Sequence, residues 1–159
     1  MQEKDFAPEF ACQIFLQSCA HLRELCENQS FVASKCQDLG VVCNSLALCL
    51  FMIDGGDLSL TEIVELFNAI TGWNFSVEEL LTTGERGFTV QRLINLRDGY
   101  DGKTDVLPKK ILKAAKEGFR AGKQIPFERL MKEYYEIRGW GEDGVPAEKT
   151  LNRLDLTIS

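Results

Sequence analysis

Apolar residues recur at every third or fourth position along most of the chain, which is the period of an amphipathic α-helix. The first such stripe lies near the start of the chain, at Cys12, Phe15, Leu16, Cys19, Leu22 and Cys26. A second apolar segment covers residues 32–53 and ends before Gly55 and Gly56. Both stretches predict helices that bury one face.

Serine–glutamate pairs mark helix starts in the middle of the chain. Ser59 with Glu62, and Ser76 with Glu79, have the spacing of a capping box, in which each residue's side chain satisfies a backbone N–H of the other. The first pair predicts a helix that ends at Gly72. The second predicts a longer helix that continues to the loop "DGYDGKTD".

Two glycines, Gly84 and Gly87, lie three positions apart inside the longer of these helices. Glycine in a helix interior costs about 1 kcal/mol relative to alanine. We therefore expect another backbone to approach this helix closely at the two glycines.

Prolines mark three helix starts in the last third of the chain. Pro108 precedes a short helical stretch, and Pro126 suits the first position of a longer helix, where its missing N–H is harmless. That helix should end at Gly139, and Pro146 should open a last short helix that runs through Leu154. The sequence thus predicts an all-α fold, a single multi-helical, bundle-like domain over residues 1–159.

The amino-acid composition indicates which classes of function are compatible with this chain. The chain has 159 residues, 45% of them hydrophobic, which is enough for one domain with a sizeable core. Its net charge of −6 gives no reason to expect a nucleic-acid partner, which favours a clustered basic surface. No apolar run reaches the length of a membrane span, and the first residues lack the pattern of a secretory signal. Six cysteines without an export signal indicate a reducing cytoplasm.

Cysteines are the first candidates for chemistry. Cys12, Cys19 and Cys26 are spaced by seven residues, as are Cys36 and Cys43. Seven residues are two helical turns, or about 10 Å, which is too far for ligands of one small metal centre. The C-x-x-C spacing typical of zinc or iron–sulfur sites is absent. The spacing therefore favours buried, unbridged thiols.

The stretch "VVCNSLALCLF", residues 41–51, leaves two interpretations open. It is either a continuous buried helix with Cys49 packed among leucines, or a segment in which a thiol binds metal. His21, the only histidine, is a candidate catalytic residue, although a lone histidine more often serves only in hydrogen bonds. Trp140, in the turn "RGWGEDG", is expected to pack that turn onto the domain.

Three blocks of sequence resemble the C-terminal domain of the tungsten-containing aldehyde ferredoxin oxidoreductase family. They are "QDLGVVCNSLALCLF", "LFNAITGWNFSVEELLTTGERGFTVQRLINLRDGYDGKTDVLPKK" and "EYYEIRGWGEDGVPAEKTLNRLDL". The first is similar to a family segment built around D-S-L-G-L-C. A shorter stretch around His21, "CAHLREL", is similar to a C-H-L-R-like segment of the family. The family-like region covers about residues 36–154.

The resemblance implies a function and its cofactors. Enzymes of this family oxidise aldehydes to carboxylic acids with a tungsten, or sometimes molybdenum, bis-pyranopterin. Electrons then pass through a four-iron–four-sulfur (4Fe-4S) cluster to ferredoxin. The protein's part in such chemistry is to hold and tune these groups.

By position, Cys49 matches the cysteine that is the family's fourth cluster ligand. Asn44 stands where the family has a pterin-binding acid, and Ala47 stands where it has glycine. An asparagine can still form hydrogen bonds but lacks the acid's charge. The resemblance makes the other candidates for the pterin surface Ser45, Leu46, Leu48 and Leu50.

The family's other three cluster cysteines, spaced C-x-x-C-x-x-x-C, and its N-terminal cofactor-binding domain have no counterpart in this sequence. One hypothesis is a split or truncated oxidoreductase, inactive alone, whose partner chain supplies those domains and completes the cofactor sites. The alternative is a free-standing helical binding or structural module that has lost the cofactors.

Overall fold

The computed structural model describes residues 29–49, 52–53, 58–114, 116–117, 121–122 and 124–157. Six α-helices lie in these ranges. They are α1 (Gln29–Ser45), α2 (Leu60–Thr71), α3 (Val77–Arg97), α4 (Lys109–Leu112), α5 (Phe127–Arg138) and α6 (Glu148–Arg153). A 3₁₀ turn, Gly102–Thr104, follows α3. The all-α prediction is confirmed: the described ranges contain no strand beyond isolated bridges.

Both predicted capping boxes are present. The Ser59 N–H donates to Glu62 Oε2 at 2.7 Å and the Glu62 N–H donates to Ser59 Oγ at 3.3 Å, which starts α2. Ser76 and Glu79 make the same pair of bonds, at 2.8 and 3.2 Å, at the start of α3. Gly72 ends α2 in the left-handed conformation with φ 74°, as the sequence predicts.

In the last third, the prolines lie just before their helices and Gly139 ends a helix as predicted. Pro108 and Pro126 directly precede α4 and α5. Pro126 was predicted at the first helical position and lies one residue before it, since α5 begins at Phe127. Gly139 ends α5 with φ 64°. The turn that follows closes through a bridge between Trp140 and Pro146, and α6 then begins at Glu148.

The hydrophobic core lies between α1, α2 and α3. Its buried members are Leu39, Val42, Cys43, Ile53, Leu60, Ile63, Val64, Leu80 and Leu81. Burial of apolar area drives this packing at about 25 cal/mol per Å². Helix α1 also packs against α5, which makes α1 the central element of the described fold.

The predicted close backbone contact is confirmed at Gly84 of α3 but not at Gly87. A Cβ atom on Gly84 would overlap the backbone carbonyl oxygen of Asp38 in α1. A Cβ atom on Gly87 would meet only a side-chain atom, Val41 Cγ1, at 2.7 Å. The absence of a side chain at Gly84 is therefore what lets the two helices come together.

A buried arginine connects three helices of the described fold. Arg138, at the end of α5, is 2% exposed and pairs with the fully buried carboxylate of Asp38 at 2.5 Å. It also donates to the Ser34 carbonyl oxygen at 2.9 Å and to Gln37 Oε1 at 2.8 Å. Its guanidinium lies over the Phe88 ring of α3, 4.4 Å from the centroid. One side chain thus ties α1, α3 and α5 together.

Several predictions fall outside the described residues. They concern the stripe at residues 12–26 with its thiols Cys12, Cys19 and Cys26, together with His21, Leu50 and the glycines Gly55 and Gly56. Within the described ranges, no helix is long and apolar enough to cross a membrane. The extent of the domain over residues 1–159 stays a prediction.

Candidate functional site

Residues 44–49, which we call the helix-end block, follow a specific helix-ending geometry. Ala47 has a left-handed backbone with φ 55°. The Leu48 N–H donates to the Cys43 carbonyl oxygen at 2.9 Å, and the Ala47 N–H donates to the Asn44 carbonyl oxygen at 3.3 Å. Counted from Cys43 as the first residue, the bonds run from the sixth residue to the first and from the fifth to the second. This is the pattern of a Schellman motif, and Ala47 lies at the position that usually holds glycine.

The apolar segment 32–53 is therefore not one helix, and the continuous-helix interpretation of residues 41–51 is wrong. Helix α1 ends at Ser45, and Met52 and Ile53 form a separate helical piece. The physical reason is the left-handed turn at Ala47. A continuous apolar run gave no sign of it, because alanine is the best helix former.

The helix-end block separates its polar and apolar side chains. Asn44, Ser45 and Cys49 are exposed, and so is Ala47. The Ser45 hydroxyl donates to the Val41 carbonyl oxygen at 2.8 Å and so stays close to the helix. The structure thus opens the Cys49 thiol to the surface.

The two leucines of the helix-end block, Leu46 and Leu48, are half-buried against the hydrophobic core. The two leucines therefore expose only part of their apolar surface to solvent. The contact of Leu48 with that core, to which Cys43 belongs, is the hydrophobic contact that accompanies a Schellman motif. Burial raises the pKa of the Cys43 thiol, which keeps it protonated in the core.

The donor atoms limit what this block can hold. Nowhere in the described ranges do three or more His, Cys, Asp or Glu side chains group to hold a metal ion. Cys49 can thus supply one soft thiolate to a centre whose other ligands come from elsewhere. Asn44 can supply an amide that both donates and accepts hydrogen bonds. These residues fit one edge of a larger cofactor site.

A concave surface, which we call the apolar groove, lies between α1, α3 and α5. Its volume is about 650 Å³. The apolar side chains that line it are Ala33, Phe88, Val106, Leu107, Ile125, Phe127, Leu130, Met131, Tyr134 and Trp140. Side-chain amides of Gln37, Gln91 and Asn95 also line it.

An ionic network includes two residues that line the apolar groove, Arg92 and Asp105. Arg92 pairs with the Asp105 carboxylate at 2.8 Å and donates from Nε to the Gly144 carbonyl oxygen at 2.8 Å. The Tyr135 hydroxyl donates to the same carboxylate at 2.6 Å. Burial and this bond to Asp105 raise the pKa of Tyr135 to about 12, so Tyr135 remains a donor at neutral pH. The network holds the loop after α3 against α5.

Trp140 packs its turn onto the domain, as the sequence predicts. It is 8% exposed and stacks on Phe88, with ring centroids 6.4 Å apart. The Arg92 guanidinium lies 5.1 Å from the centroid of the indole. Such a cation–π contact contributes roughly 0.5–2 kcal/mol.

Sequence reasoning missed the buried ionic residues Asp38, Glu85, Arg92 and Arg138. The sequence positions of two of these residues could have indicated their burial. Asp38 adjoins the apolar run of α1, and Arg138 directly precedes the helix-ending Gly139.

Comparison with known proteins gives a consistent result. Residues 3–156 match the family described as "Aldehyde ferredoxin oxidoreductase, domains 2 & 3". The chain is 38% identical over 122 residues to the tungsten-containing aldehyde ferredoxin oxidoreductase of Pyrococcus abyssi, covering 76% of this chain and 20% of that protein. It is 40% identical over 116 residues to the protein of the same name from Pyrococcus furiosus, covering 71% and 19%.

A further relative is the aliphatic sulfonate oxidoreductase, WOR-like subunit, of Pyrococcus furiosus. It is 30% identical over 122 residues, covering 71% of this chain and 19% of the relative. The chain thus spans about a fifth of the length of the curated relatives that it matches.

Proposed function

Because the chain belongs to the aldehyde ferredoxin oxidoreductase family, we propose that it forms the C-terminal helical part of an oxidoreductase of this type. Further domains, carried by a partner chain, complete the enzyme. The observation that carries the proposal is the exposed Cys49, which lies just outside a capped helix end. The isolated chain is inactive in this proposal, since it supplies one edge of the cofactor site.

When bound, the tungsten or molybdenum bis-pyranopterin and the 4Fe-4S cluster supply the oxidation of an aldehyde to a carboxylic acid and the electron transfer to ferredoxin. Cys49 contributes one thiolate ligand, which suits iron because thiolates are soft donors. Leu46 and Leu48, held against the core, give this edge an apolar backing that limits water.

Asn44 orients the pterin in this proposal. Its side chain is exposed at the last turn of α1, one residue before the helix ends. An amide can donate to a ring nitrogen or carbonyl and accept from an amino group. Because it carries no charge, its hydrogen bonds are weaker than those of a carboxylate. We therefore expect the pterin to be bound mainly by the partner chain's domains, with Asn44 contributing a weaker contact.

Cys36, Cys43 and Cys49 form no disulfide, which is consistent with a reducing compartment, and we propose a cytoplasmic location. Ferredoxin enters only indirectly, as the acceptor of electrons from the completed enzyme.

The test is anaerobic co-purification with a chain that carries the family's N-terminal domain and C-x-x-C-x-x-x-C segment. We expect a stable complex with iron and tungsten or molybdenum, and an electron paramagnetic resonance signal of the reduced cluster. Cys49→Ser should alter that signal and lower the iron content. Cys36→Ser, which replaces a half-buried thiol within α1, is the matched control and should leave both unchanged. An identical signal from the Cys49→Ser complex would refute the ligand assignment.

A free-standing binding or structural module is the second candidate. Asn44 and Ala47 favour it, because both depart from the family's acid and glycine. This function predicts that the folded chain forms no complex with such a partner and retains no iron, tungsten or molybdenum under the same conditions.

A further inference from the structure

Helix α2 buries only one side of its apolar surface. Leu60, Ile63 and Val64 belong to the hydrophobic core and are no more than 7% exposed. Leu66 and Ile70, which lie one helical turn apart, are 49% and 75% exposed. The apolar surface of α2 is therefore wider than the part that the core covers. A continuous exposed apolar surface of this kind marks an interaction site.

Trp73, two residues beyond the end of α2, adds an ordered aromatic side chain to this surface. It is 60% exposed, and its ring stacks on Phe75 with centroids 5.6 Å apart and meets Phe67 of α2 at 5.8 Å. Asn68 fastens the turn, because its side-chain amide donates to the Phe75 carbonyl oxygen and accepts from the Phe75 N–H, both at 2.8 Å. A tryptophan that is already ordered loses little conformational entropy when a partner covers it.

We call the surface formed by Leu66, Phe67, Ile70 and Trp73 the α2 face. The sequence around it is strongly acidic, since residues 36–85 contain eight aspartates and glutamates and no lysine, arginine or histidine.

The exposed carboxylates on α2 and in the first turn of α3 belong to Glu62, Glu65, Glu78 and Glu79. None of these four forms an ion pair with another residue in the described part of the chain. A protein that covers the α2 face therefore meets negative charge that no neighbouring base neutralises. Electrostatic complementarity then requires a basic rim on that protein.

We propose that the α2 face docks a partner chain whose matching surface carries apolar side chains ringed by lysine and arginine. This rests on the function proposed above, in which a partner chain supplies the remaining domains. The chain spans about a fifth of the length of the curated relatives that it matches, so the domains supplied by the partner are larger than the chain itself. Phe75 also packs against the core that Leu46 and Leu48 contact, so the α2 face and the helix-end block adjoin one core.

The acidic surroundings argue against two other occupants. A symmetric pair of copies that met through this face would bring two acidic surfaces together. An anionic lipid surface is repelled for the same reason. The partner chain with a basic rim is the occupant that fits both the apolar and the charged residues.

The partner in the test is the chain that carries the family's N-terminal domain and C-x-x-C-x-x-x-C segment, and its affinity for this chain is measured anaerobically by surface plasmon resonance. Trp73→Ala should weaken binding at least about tenfold, mainly through faster dissociation, because buried tryptophans dominate interface energetics. Tyr100→Ala is the matched control and should leave the affinity unchanged. Tyr100 is also 60% exposed but lies in the loop after α3.

Two further variants separate apolar contact from charge. Ile70→Ser removes a 75% exposed side chain and should weaken binding about threefold or more, so a turn disturbed by Trp73→Ala does not decide the result alone. Glu65→Lys should slow association about threefold at low salt, and the difference should shrink as salt rises. Glu142→Lys, at an exposed position in the turn after α5, is its control and should change nothing.

Failure of the docking surface and failure of the proposed function give different results. If Trp73→Ala and Ile70→Ser bind the partner as tightly as the unmodified chain, the docking surface is wrong, while the Cys49-dependent cluster signal of the complex persists. If the unmodified chain forms no complex, both are overturned. If both hold, Trp73→Ala at saturating partner concentration shows the unmodified cluster signal.

Three other results would overturn the proposal. An association rate of Glu65→Lys equal to that of the unmodified chain would contradict the basic rim. Self-association of the chain alone in sedimentation, abolished by Trp73→Ala, would make a second copy the occupant. Binding to vesicles of phosphatidylcholine and phosphatidylserine, abolished by the same variant, would make a membrane surface the occupant.

Discussion

Gly84→Ala tests the closest contact in the fold, the crossing of α1 and α3. The new methyl group would overlap the Asp38 carbonyl oxygen and lie 2.8 Å from its carbon. Carbon atoms in ordinary contact are about 3.5–4.0 Å apart. Because the obstacle is backbone and not the end of a flexible side chain, the helices must separate by about 1 Å to accept it.

Two opposing effects set the magnitude. Alanine favours the helix over glycine by about 1 kcal/mol. Overpacking against a helix backbone costs about 1–3 kcal/mol, and more when neighbouring contacts move. Here Asp38 also pairs with Arg138, so a displaced α1 strains a buried ion pair. Since the strained ion pair places the overpacking cost at the upper end of its range, we expect the free energy of unfolding to fall by about 1–2 kcal/mol overall.

Urea denaturation followed by circular dichroism at 222 nm measures this change, provided that the slope of the transition stays constant. Gly40→Ala is the matched control, since a Cβ atom there meets nothing within 4 Å in the middle of α1. It should raise the free energy of unfolding by up to about 1 kcal/mol. Gly87→Ala should fall between the two, because the Val41 side chain can rotate away. A Gly84→Ala protein as stable as the unmodified chain would refute the reasoning.

The other predictions concern the helix end and the buried charges. Ala47→Gly should raise the free energy of unfolding by about 0.5–1 kcal/mol in urea, because glycine adopts the left-handed conformation without strain; a loss of stability would contradict the Schellman assignment. Arg138→Met should lower it by about 3–5 kcal/mol, since Asp38 is left buried without its partner; adding Asp38→Asn should restore part of the loss, and no rescue would argue against the pair. Burial raises the pKa of Glu85, but hydrogen bonds and charge from Arg153 outweigh it, so the folded pKa lies below the ordinary 4.5. The stabilising effect of the Glu85 carboxylate is then complete above that pH and is lost as pH falls further. The urea midpoint, measured from about pH 6 to pH 3, should therefore decline less steeply in Glu85→Gln than in the unmodified chain. An equally steep decline would contradict a lowered pKa of Glu85.

Local chemistry explains which elements the sequence predicts well. Ser59 and Ser76 start helices through side chains three residues away, and Gly72 and Gly139 end helices through their own backbone freedom. Each of these interactions lies within about one helical turn, so the residues that form it are neighbours in the sequence and can be recognised there. The Gly84 contact was also predictable, because glycine inside a helix needs a reason.

Long-range features were not predictable in the same way. Asp38 and Arg138 lie 100 residues apart, and nothing in the local pattern links them. The end of α1 escaped notice because Ala47 takes a conformation that alanine rarely adopts. The family resemblance pointed to residues 44–49 without the geometry, which the Schellman bonds supply. The apolar groove needed the positions of three helices and could not be read from any one of them.

The Arg138 cluster also sets an order of events during synthesis. The residues that it joins in α1 are made 100 or more positions before it. At roughly 5–20 residues per second, about 5–20 s pass between translation of Asp38 and of its counterion. During that interval the Asp38 carboxylate lacks its counterion, and α1 can pack against α2 and α3 but not yet against α5. The buried ion pair is therefore a late step, which can form only after the chain has been made through Arg138.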